Sequence, residues 1–555
     1  MSNMKRVFLT LLVFASALSA MSQSVPQWVN DLLEQSTVID SIKPYEQCPS
    51  IPEYRSFLIY YHQPLSHANP QGELFSLIAL LTVDTRKDPL TAPNHVYFSG
   101  YEIDDHTLAR PDSTFKYRND RFNEIAHRYQ SNFIQLEHRY FSFSSPVQCW
   151  ARLDDCTSEE AAEDFHALIT DLKKVFKGKW SMSGVSKGGI TTALQHMYHP
   201  EDADLYVPYS APFLDNDRDT MMQNYWYNNG LTPEMRDIFM NVRRQALFDR
   251  EHVYPIYEKV FVGGDFSEAN RNIAYGNFLA EIGQFGFGDQ AYKTQAEVYA
   301  MEAQNDRILS ALGMTYCDTV YAFMLFGETF SLEDFGPWLD ELRQYPDSLR
   351  GPQRVRTVRR HRPFGITRDE WYSSGGTLSY MAYYYQAKSE LGYYDCSFTD
   401  IVGPEAADEW NSYWRNHYSC MIDLWVPWFA VLPFSRATYD AVTQATLSAT
   451  KPIYFIYGFD DPWAGAAMKD EFINGTNVRK FVFPNQSHYV QWNAQTDSTQ
   501  TAELLHLMDA VMGTPAGIPE MPASVQQDDT RKIIRNGQML IIRDDKTYTL
   551  TGVEL

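Results

Sequence analysis

The chain has 555 residues, 44% hydrophobic and 21% charged, long enough to fold around cores that need no metal or disulfide staple and too apolar for a disordered chain. Its net charge of −23 speaks against a nucleic-acid partner and mainly favours solubility. Aromatic residues make up 15%, with 36 Tyr, so an aromatic core or an aromatic-lined cleft is expected.

Lys5 and Arg6, the apolar run 7–17, and Ala20-Met21-Ser22 before Gln23 have the layout of a secretory signal peptide. Residues 1–22 are therefore set apart from the fold, and the mature protein is expected to be exported, to the periplasm or the extracellular space. No later stretch approaches the roughly 20 apolar residues of a membrane span, so no integral membrane segment is expected. Six cysteines (Cys48, Cys149, Cys156, Cys317, Cys396 and Cys420) fit disulfides in an oxidising compartment. Cys149 and Cys156 could close a short loop; the other pairings stay open. No Cys-x-x-Cys occurs. His196-x-x-His199 has helical ligand spacing but no third ligand nearby in sequence, so the end of a helix before Pro200 is the better explanation. Neither a metal nor a cofactor is expected.

Beyond an amphipathic stretch, residues 57–63, 74–83 and 95–99 read as extended, 119–129 as helix and 132–137 as an apolar strand. Residues 159–176 show helical periodicity, with Leu168, Leu172 and Val175 on one side. Strand 179–183, helix Lys187–Tyr198 and strand 204–209 follow. This alternation implies a largely parallel sheet covered on both faces by helices. From about 213 to 450 the chain is helix-like and rich in Tyr, Trp and Met. At Lys451 the alternating pattern resumes: strand 452–457, helix 464–472, strand 480–483, helix Ser498–Met512. The expected organisation is an α/β domain in two parts, 23–212 and 451–513, with a helical cap inserted at 213–450. A linker at 514–530 and a C-terminal β-hairpin at 531–555 complete it. The run Arg350, Arg354, Arg356, Arg359, Arg360 and Arg362 in the cap reads as a solvated loop.

Gly184-Val185-Ser186-Lys187-Gly188 lies between a predicted strand and a predicted helix, the setting of a nucleophile elbow. A sharp turn there lifts the Ser186 hydroxyl out of the sheet, and the glycines let the backbone bend. A serine nucleophile needs a base within reach and an acid that holds the base in the right tautomer. In an α/β-hydrolase these follow the serine in the order acid, then histidine. Asp460 and Asp461 follow one late strand, and His488 follows the next, 27 residues beyond Asp461. His506 falls inside a predicted helix, which leaves His488 as the base. Asp461 is preferred to Asp460 because Pro462 keeps it out of helical backbone, and Asp460 could cap the helix that follows. The N–H of Lys187 and one from Gly100 or Tyr101, in the loop after strand 95–99, are candidates for an oxyanion hole. Glu102 on that loop could bind a substrate amine.

Together with Gln63-Pro64-Leu65-Ser66-His67, Tyr97-Phe98-Ser99-Gly100-Tyr101, Glu137-His138-Arg139-Tyr140-Phe141, Gly178-Lys179-Trp180 and Asp461-Pro462-Trp463, these segments resemble the secreted serine tripeptidyl aminopeptidases, serine-peptidase family 37. The relatives of that family include the lysosomal Pro-Xaa carboxypeptidase and dipeptidyl peptidase group. The resemblance implies an α/β-hydrolase fold with a cap that restricts entry to peptide ends. It implies Ser186 as nucleophile, Asp461 as acid and His488 as base, with Glu137–Tyr140 supporting the site and Glu137 a candidate substrate contact. Lys187 follows the tripeptidyl pattern, which points to peptide substrates with free N-termini. Another hydrolase on the same scaffold, or a silent peptide-binding protein, are the competing expectations. The C-terminal tail resembles those of bacterial proteins handled by a dedicated outer-membrane secretion system; an accessory strand pair is the alternative.

Overall fold

In the computed structural model the described residues are 25–45, 54–103, 124–146, 153–229, 379–394, 432–486, 488, 490–492, 497–513, 515, 531–535, 538–543 and 546–549. Nine strands form the main sheet: β1 (Ile39–Tyr45), β2 (Tyr54–Pro64), β3 (Leu74–Asp84), β4 (Asn94–Phe98), β5 (Asn132–Leu136), β6 (Trp180–Val185), β7 (Leu205–Tyr209), β8 (Ile453–Gly458) and β9 (Val478–Phe483). Their spatial order is β1-β2-β3-β5-β4-β6-β7-β8-β9. The pairings β1–β2, β2–β3 and β3–β5 are antiparallel, and every pairing from β5 to β9 is parallel. This is the α/β-hydrolase fold, with β1 added at one edge.

The central strands are buried on both faces; β7 and β8 are mostly apolar, and the buried His95 of β4 is satisfied by Ser181 and Ser183 of β6. One face packs α1 (Gln27–Gln35), α3 (Ser158–Lys173) and α4 (Lys187–Tyr198) against the sheet through Leu32, Phe165, Leu168, Leu172 and Leu194. The other carries α2 (Glu124–Tyr129) and α8 (Ser498–Met512), through Ile125, Leu504 and Met508. Side chains of β7 alternate between the layers, Tyr206 to the first and Leu205 and Val207 to the second. The Thr157 side chain caps α3 by accepting the Glu160 N–H, and Glu159 and Glu160 complement its positive end.

Strands β7 and β8 are neighbours although 210–452 separates them in sequence. Within that span the described helices are α5 (Met221–Asn229), α6 (Ser379–Gln386), which continues as a π-helical turn over Ala387–Leu391, and α7 (Ala437–Leu447). The rest of the expected cap, with its arginine run, lies outside the described residues. Tyr439 and Val442 of α7 join the core under the sheet, so the α/β layering resumes before residue 451.

Three local expectations differ from the structure. Strand β1 was not anticipated: Asp40, Lys43 and Pro44 break its pattern, which an edge strand tolerates. The Asp171 carboxylate anchors its approach by accepting the Thr37 and Val38 N–H groups at 2.6 and 3.0 Å. The helix expected at 464–472 is two 3-10 turns, Pro462–Ala466 and Asp470–Phe472. Gly465 weakens a helix there, and the Ala466 carbonyl is drawn to the Phe213 N–H at 2.7 Å. The expected C-terminal hairpin is present as β11 (Gln538–Arg543) and β12 (Lys546–Thr549), but a further antiparallel strand, β10 (Arg531–Arg535), pairs with β11.

Candidate active site

Among the described residues, four non-glycine residues beyond the carboxyl ends of parallel strands have positive φ: Tyr140 (69°) after β5, Ser186 (59°) after β6, Ser210 (44°) after β7 and Asn485 (56°) after β9. Such conformations cost free energy in L-residues and collect where a site over-determines them. Ser186 is the residue between β6 and α4, with ψ −122°. Its turn closes because Gly184 and Gly188, two positions before and after it, lack side chains. A Cβ on Gly184 would lie 2.4 Å from the Gly188 carbonyl, and one on Gly188 would lie 2.2 Å from the Phe98 carbonyl. Gly188→Ala should therefore displace the turn and cost about 100-fold in kcat/KM, the scale on which a misplacement of about 1 Å acts. Titration with a serine-reactive phosphonate checks it; unchanged labelling would show that the turn absorbs the methyl group.

Ser186 donates its N–H to the Tyr209 carbonyl at 2.9 Å. The next residue, Ser210, donates its hydroxyl to the His488 carbonyl at 2.8 Å. Residues 209–210 thus tie the elbow to the histidine loop. His488 Nδ1 is 3.0 Å from Asp461 Oδ2, both groups buried, and the Trp463 ring lies 4.6 Å from the imidazole. Asp461 is extended (φ −82°, ψ 122°), as the following proline favours. Its Oδ1 accepts the Trp463 N–H at 3.0 Å, so Asp461, rather than Asp460, caps the turn that follows. Asp460 is half-buried and donates its N–H to the Gln486 carbonyl. Neither Ser210 nor Trp463 was assigned a role from sequence; a serine after a buried strand carries no motif, and Trp463 stood out only by resemblance.

The loop after β4 rests on the first turn of α4. A Cβ on Gly100 (φ 78°) would lie 2.5 Å from the Gly188 nitrogen and 2.8 Å from the Lys187 carbonyl carbon. The Lys187 N–H is among the first-turn donors for which a helix has no internal acceptor. Tyr101 differs from expectation: its N–H donates to Ser99 Oγ at 3.2 Å, because that hydroxyl sits inside the same turn, so Gly100 is the better-placed candidate. Glu137 differs as well. Its carboxylate is fully buried and accepts the Ile103 N–H (2.9 Å) and the Ser144 N–H (2.8 Å), one on each oxygen. It brackets two loops instead of facing substrate. Burial raises it to about 8, against those two N–H donors, and the nearby Glu102 charge adds to the rise. Glu102 itself is half-buried on the β4 loop.

The Lys187 side chain is buried, its Nζ 5.3 Å from the Phe141 ring centre and 5.6 Å from that of Tyr101. Burial lowers its pKa from 10.5 to about 7, opposed by Cys156 and Glu390. Between those values the unfolded chain holds more protons, so the lysine's contribution to stability rises with pH across the window. Lys187→Met should accordingly stabilise the protein more at pH 6 than at pH 9. Urea midpoints at the two values check this, and equal shifts would contradict it.

Arg139 belongs to the Glu137–Tyr140 segment that the resemblance implies as support for the site. It is fully buried, with Nε and Nη2 each 2.7 Å from an oxygen of Asp164, while Nη1 donates to the carbonyls of Leu65 (2.9 Å) and Asp155 (2.7 Å). His67 Nε2 meets the same Asp164 at 2.8 Å, and the His67 N–H and Ser66 hydroxyl bind Glu160. The Gln63–His67 and Glu137–Phe141 motifs are therefore two halves of one buried network beside the site.

The helix carrying the His196-x-x-His199 spacing ends at Tyr198, before Pro200 as expected, and the two histidines part company. His196 turns to the Lys451 carbonyl (3.2 Å), whereas His199 stacks on His166 of α3 near Asp202, so donors come from a second helix that sequence proximity does not reveal. Cys156 is buried, with Sγ 4.0 Å from the Ala382 carbonyl. The other five cysteines, and hence every proposed pairing, lie outside the described residues. Among the described residues no helix is long and apolar enough to cross a membrane.

Residues 29–330 match the family model described as PS-10 peptidase S37. The chain belongs to this peptidase family. It is also 24% identical over 529 residues, 93% of this chain and 91% of the relative, to a prolyl tri/tetrapeptidyl aminopeptidase of Streptomyces mobaraensis. Among solved structures it is similar to the peroxisomal α/β-hydrolase Lpx1 of Saccharomyces cerevisiae (9% identity, 85% of this chain, 93% of that chain, TM-score 0.34). A proline iminopeptidase of Mycobacterium smegmatis is similar too (13%, 85%, 99%, TM-score 0.30). This S37 member is a serine peptidase on an α/β-hydrolase scaffold.

Proposed function

We propose that the protein is an exported exopeptidase that releases short peptides, tripeptides foremost, from free N-termini. The observation that carries the chemistry is the buried Asp461–His488 pair, tied through residues 209–210 to the strained Ser186 turn. With Nδ1 committed to Asp461, the Nε2 of His488 takes the Ser186 proton. Ser186 Oγ then attacks the scissile carbonyl, and the Lys187 and Gly100 N–H groups hold the oxyanion. His488 returns the proton to the leaving amine, whose departure leaves an acyl-enzyme, and water activated by His488 releases the peptide. Substrate length and the free amine are supported by the name of the Streptomyces relative and by the acidic Glu102 on the β4 loop. The same name supports a prolyl residue before the cut, and the signal-like residues 1–22 support export.

Matched di- and tripeptidyl reporter amides ending in Pro or Ala, each free or blocked at the N-terminus, test this beside a Ser186→Ala control. The expected result is Ser186-dependent release from free-amine tripeptides, fastest after Pro, with at least a 1000-fold loss in the control. Equal cleavage of blocked substrates would remove the exopeptidase reading. Preference for acyl esters would favour another hydrolase, and failure of a fluorophosphonate to label Ser186 would favour a silent binding protein.

A further inference from the structure

At the end of α4 remote from Ser186, side chains from α3 and α4 converge on one point. His199 follows the last residue of α4, and the 3-10 turn Pro200–Asp202 folds Asp202 back, its N–H donating to the His199 carbonyl at 3.0 Å. Glu163 and His166 stand one turn apart on α3 and face this corner. His166 Nδ1 lies 2.8 Å from Asp202 Oδ1, and His199 Nε2 lies 3.0 Å from Glu163 Oε1. One donor atom each from His166, His199 and Asp202 falls within 4.8 Å of the other two.

We propose that His166, His199 and Asp202 form a binding site for a borderline divalent transition cation, Zn²⁺ or Co²⁺, with Glu163 as a further carboxylate. Two imidazoles and carboxylate oxygen suit these ions better than Mg²⁺ or Ca²⁺, which take oxygen ligands. The surroundings orient the donors. Gln195 Nε2 holds Asp202 Oδ2 at 2.7 Å, leaving Oδ1 for the corner, and the Tyr206 hydroxyl fixes the His199 carbonyl at 2.9 Å. Asp202 is buried, His199 is 17% exposed and His166 40% exposed, so one side stays open to water and to an entering ion.

Binding requires a definite rearrangement. Donors on a tetrahedral ion, at bond lengths of about 2.0–2.2 Å, sit about 3.4 Å apart. The widest donor separation, up to 4.8 Å, must therefore close by as much as about 1.4 Å, while the His166 Nδ1–Asp202 Oδ1 pair, now at 2.8 Å, opens slightly. The two rings now stack with centroids 3.9 Å apart and planes 8° apart, so their in-plane lone pairs do not converge. The more exposed His166 ring has room to turn, and the ion replaces the proton it shares with Asp202. Since α4 is 12 residues long, about 18 Å, the ion would lie at the far end of the helix from Ser186 and act as a clamp between α3 and α4.

Tag-free full-length protein, stripped with chelator, should bind one Zn²⁺ per chain by calorimetry, with a rise of several degrees in the unfolding midpoint. Added Co²⁺ should give the visible absorption of a nitrogen- and oxygen-ligated ion. His166→Gln and Asp202→Asn should each weaken Zn²⁺ binding at least 10-fold. In a chain that fails to fold, the Co²⁺ spectrum and stoichiometry of the unaltered protein still decide the matter. Absence of saturable Zn²⁺ binding to the unaltered protein, or binding unchanged in both variants, would overturn the site.

Discussion

Asp461→Asn should lower kcat by about 10⁴ while leaving the fold in place, the loss expected when the acid partner of a catalytic histidine becomes an amide. The amide keeps an oxygen for the Trp463 N–H, so the cap on the Pro462 turn survives. Its NH₂ replaces Oδ2, 3.0 Å from His488 Nδ1, where an acceptor is needed. The histidine must then carry its proton on Nε2, the tautomer that cannot accept from Ser186. Asp460→Asn, on the half-buried neighbour, should change kcat less than 10-fold. Rates of free-amine tripeptide cleavage and of phosphonate labelling, beside circular dichroism, check the pair. A larger loss in the Asp460 variant would reassign the acid and with it the mechanism.

The fold was legible wherever an element is long and buried. Helices Lys187–Tyr198 and Ser498–Met512 fall where periodicity puts them, and the strands from β2 to β9 fall on the segments read as extended. It failed at β1, whose edge position tolerates charge and proline, and at 464–472, where a proline and a glycine outweigh the apolar spacing. The candidate site was legible in its motif-bearing parts because strand-end loops force Ser186, Asp461 and His488 onto one edge. Glu137 misled because a carboxylate in a striking motif suggests a ligand contact. Only the backbone donors at Ile103 and Ser144 show that both its oxygens are spoken for. The corner of His166, His199 and Asp202 was not legible, because His166 lies on α3, 33 positions before His199 in sequence.

Arg139→Met should destabilise the protein by about 3–5 kcal/mol, the cost of stranding a buried charge when its partner is removed. Asp164 has no exposure and would lose both guanidinium bonds, keeping the His67 contact at 2.8 Å. The carbonyls of Leu65 and Asp155 would lose their donor in the same change. Arg139→Lys should recover little, because one ammonium cannot span acceptors on three segments that a planar guanidinium bridges. If the unpaired carboxylate is the dominant cost, Arg139→Met combined with Asp164→Leu should be more stable than Arg139→Met alone, since no charge is then left buried. Urea unfolding of the three variants checks this. A double variant no more stable than Arg139→Met alone would place the loss in the freed carbonyls of Leu65 and Asp155 instead. Activity separates the network's two roles: the Glu137–Tyr140 segment shares its strand end with the loop carrying Gly100, through the His138 N–H on the Tyr101 carbonyl at 3.0 Å. A stabilised double variant that remains slow in acylation would mean that Arg139 also sets the position of the oxyanion loop.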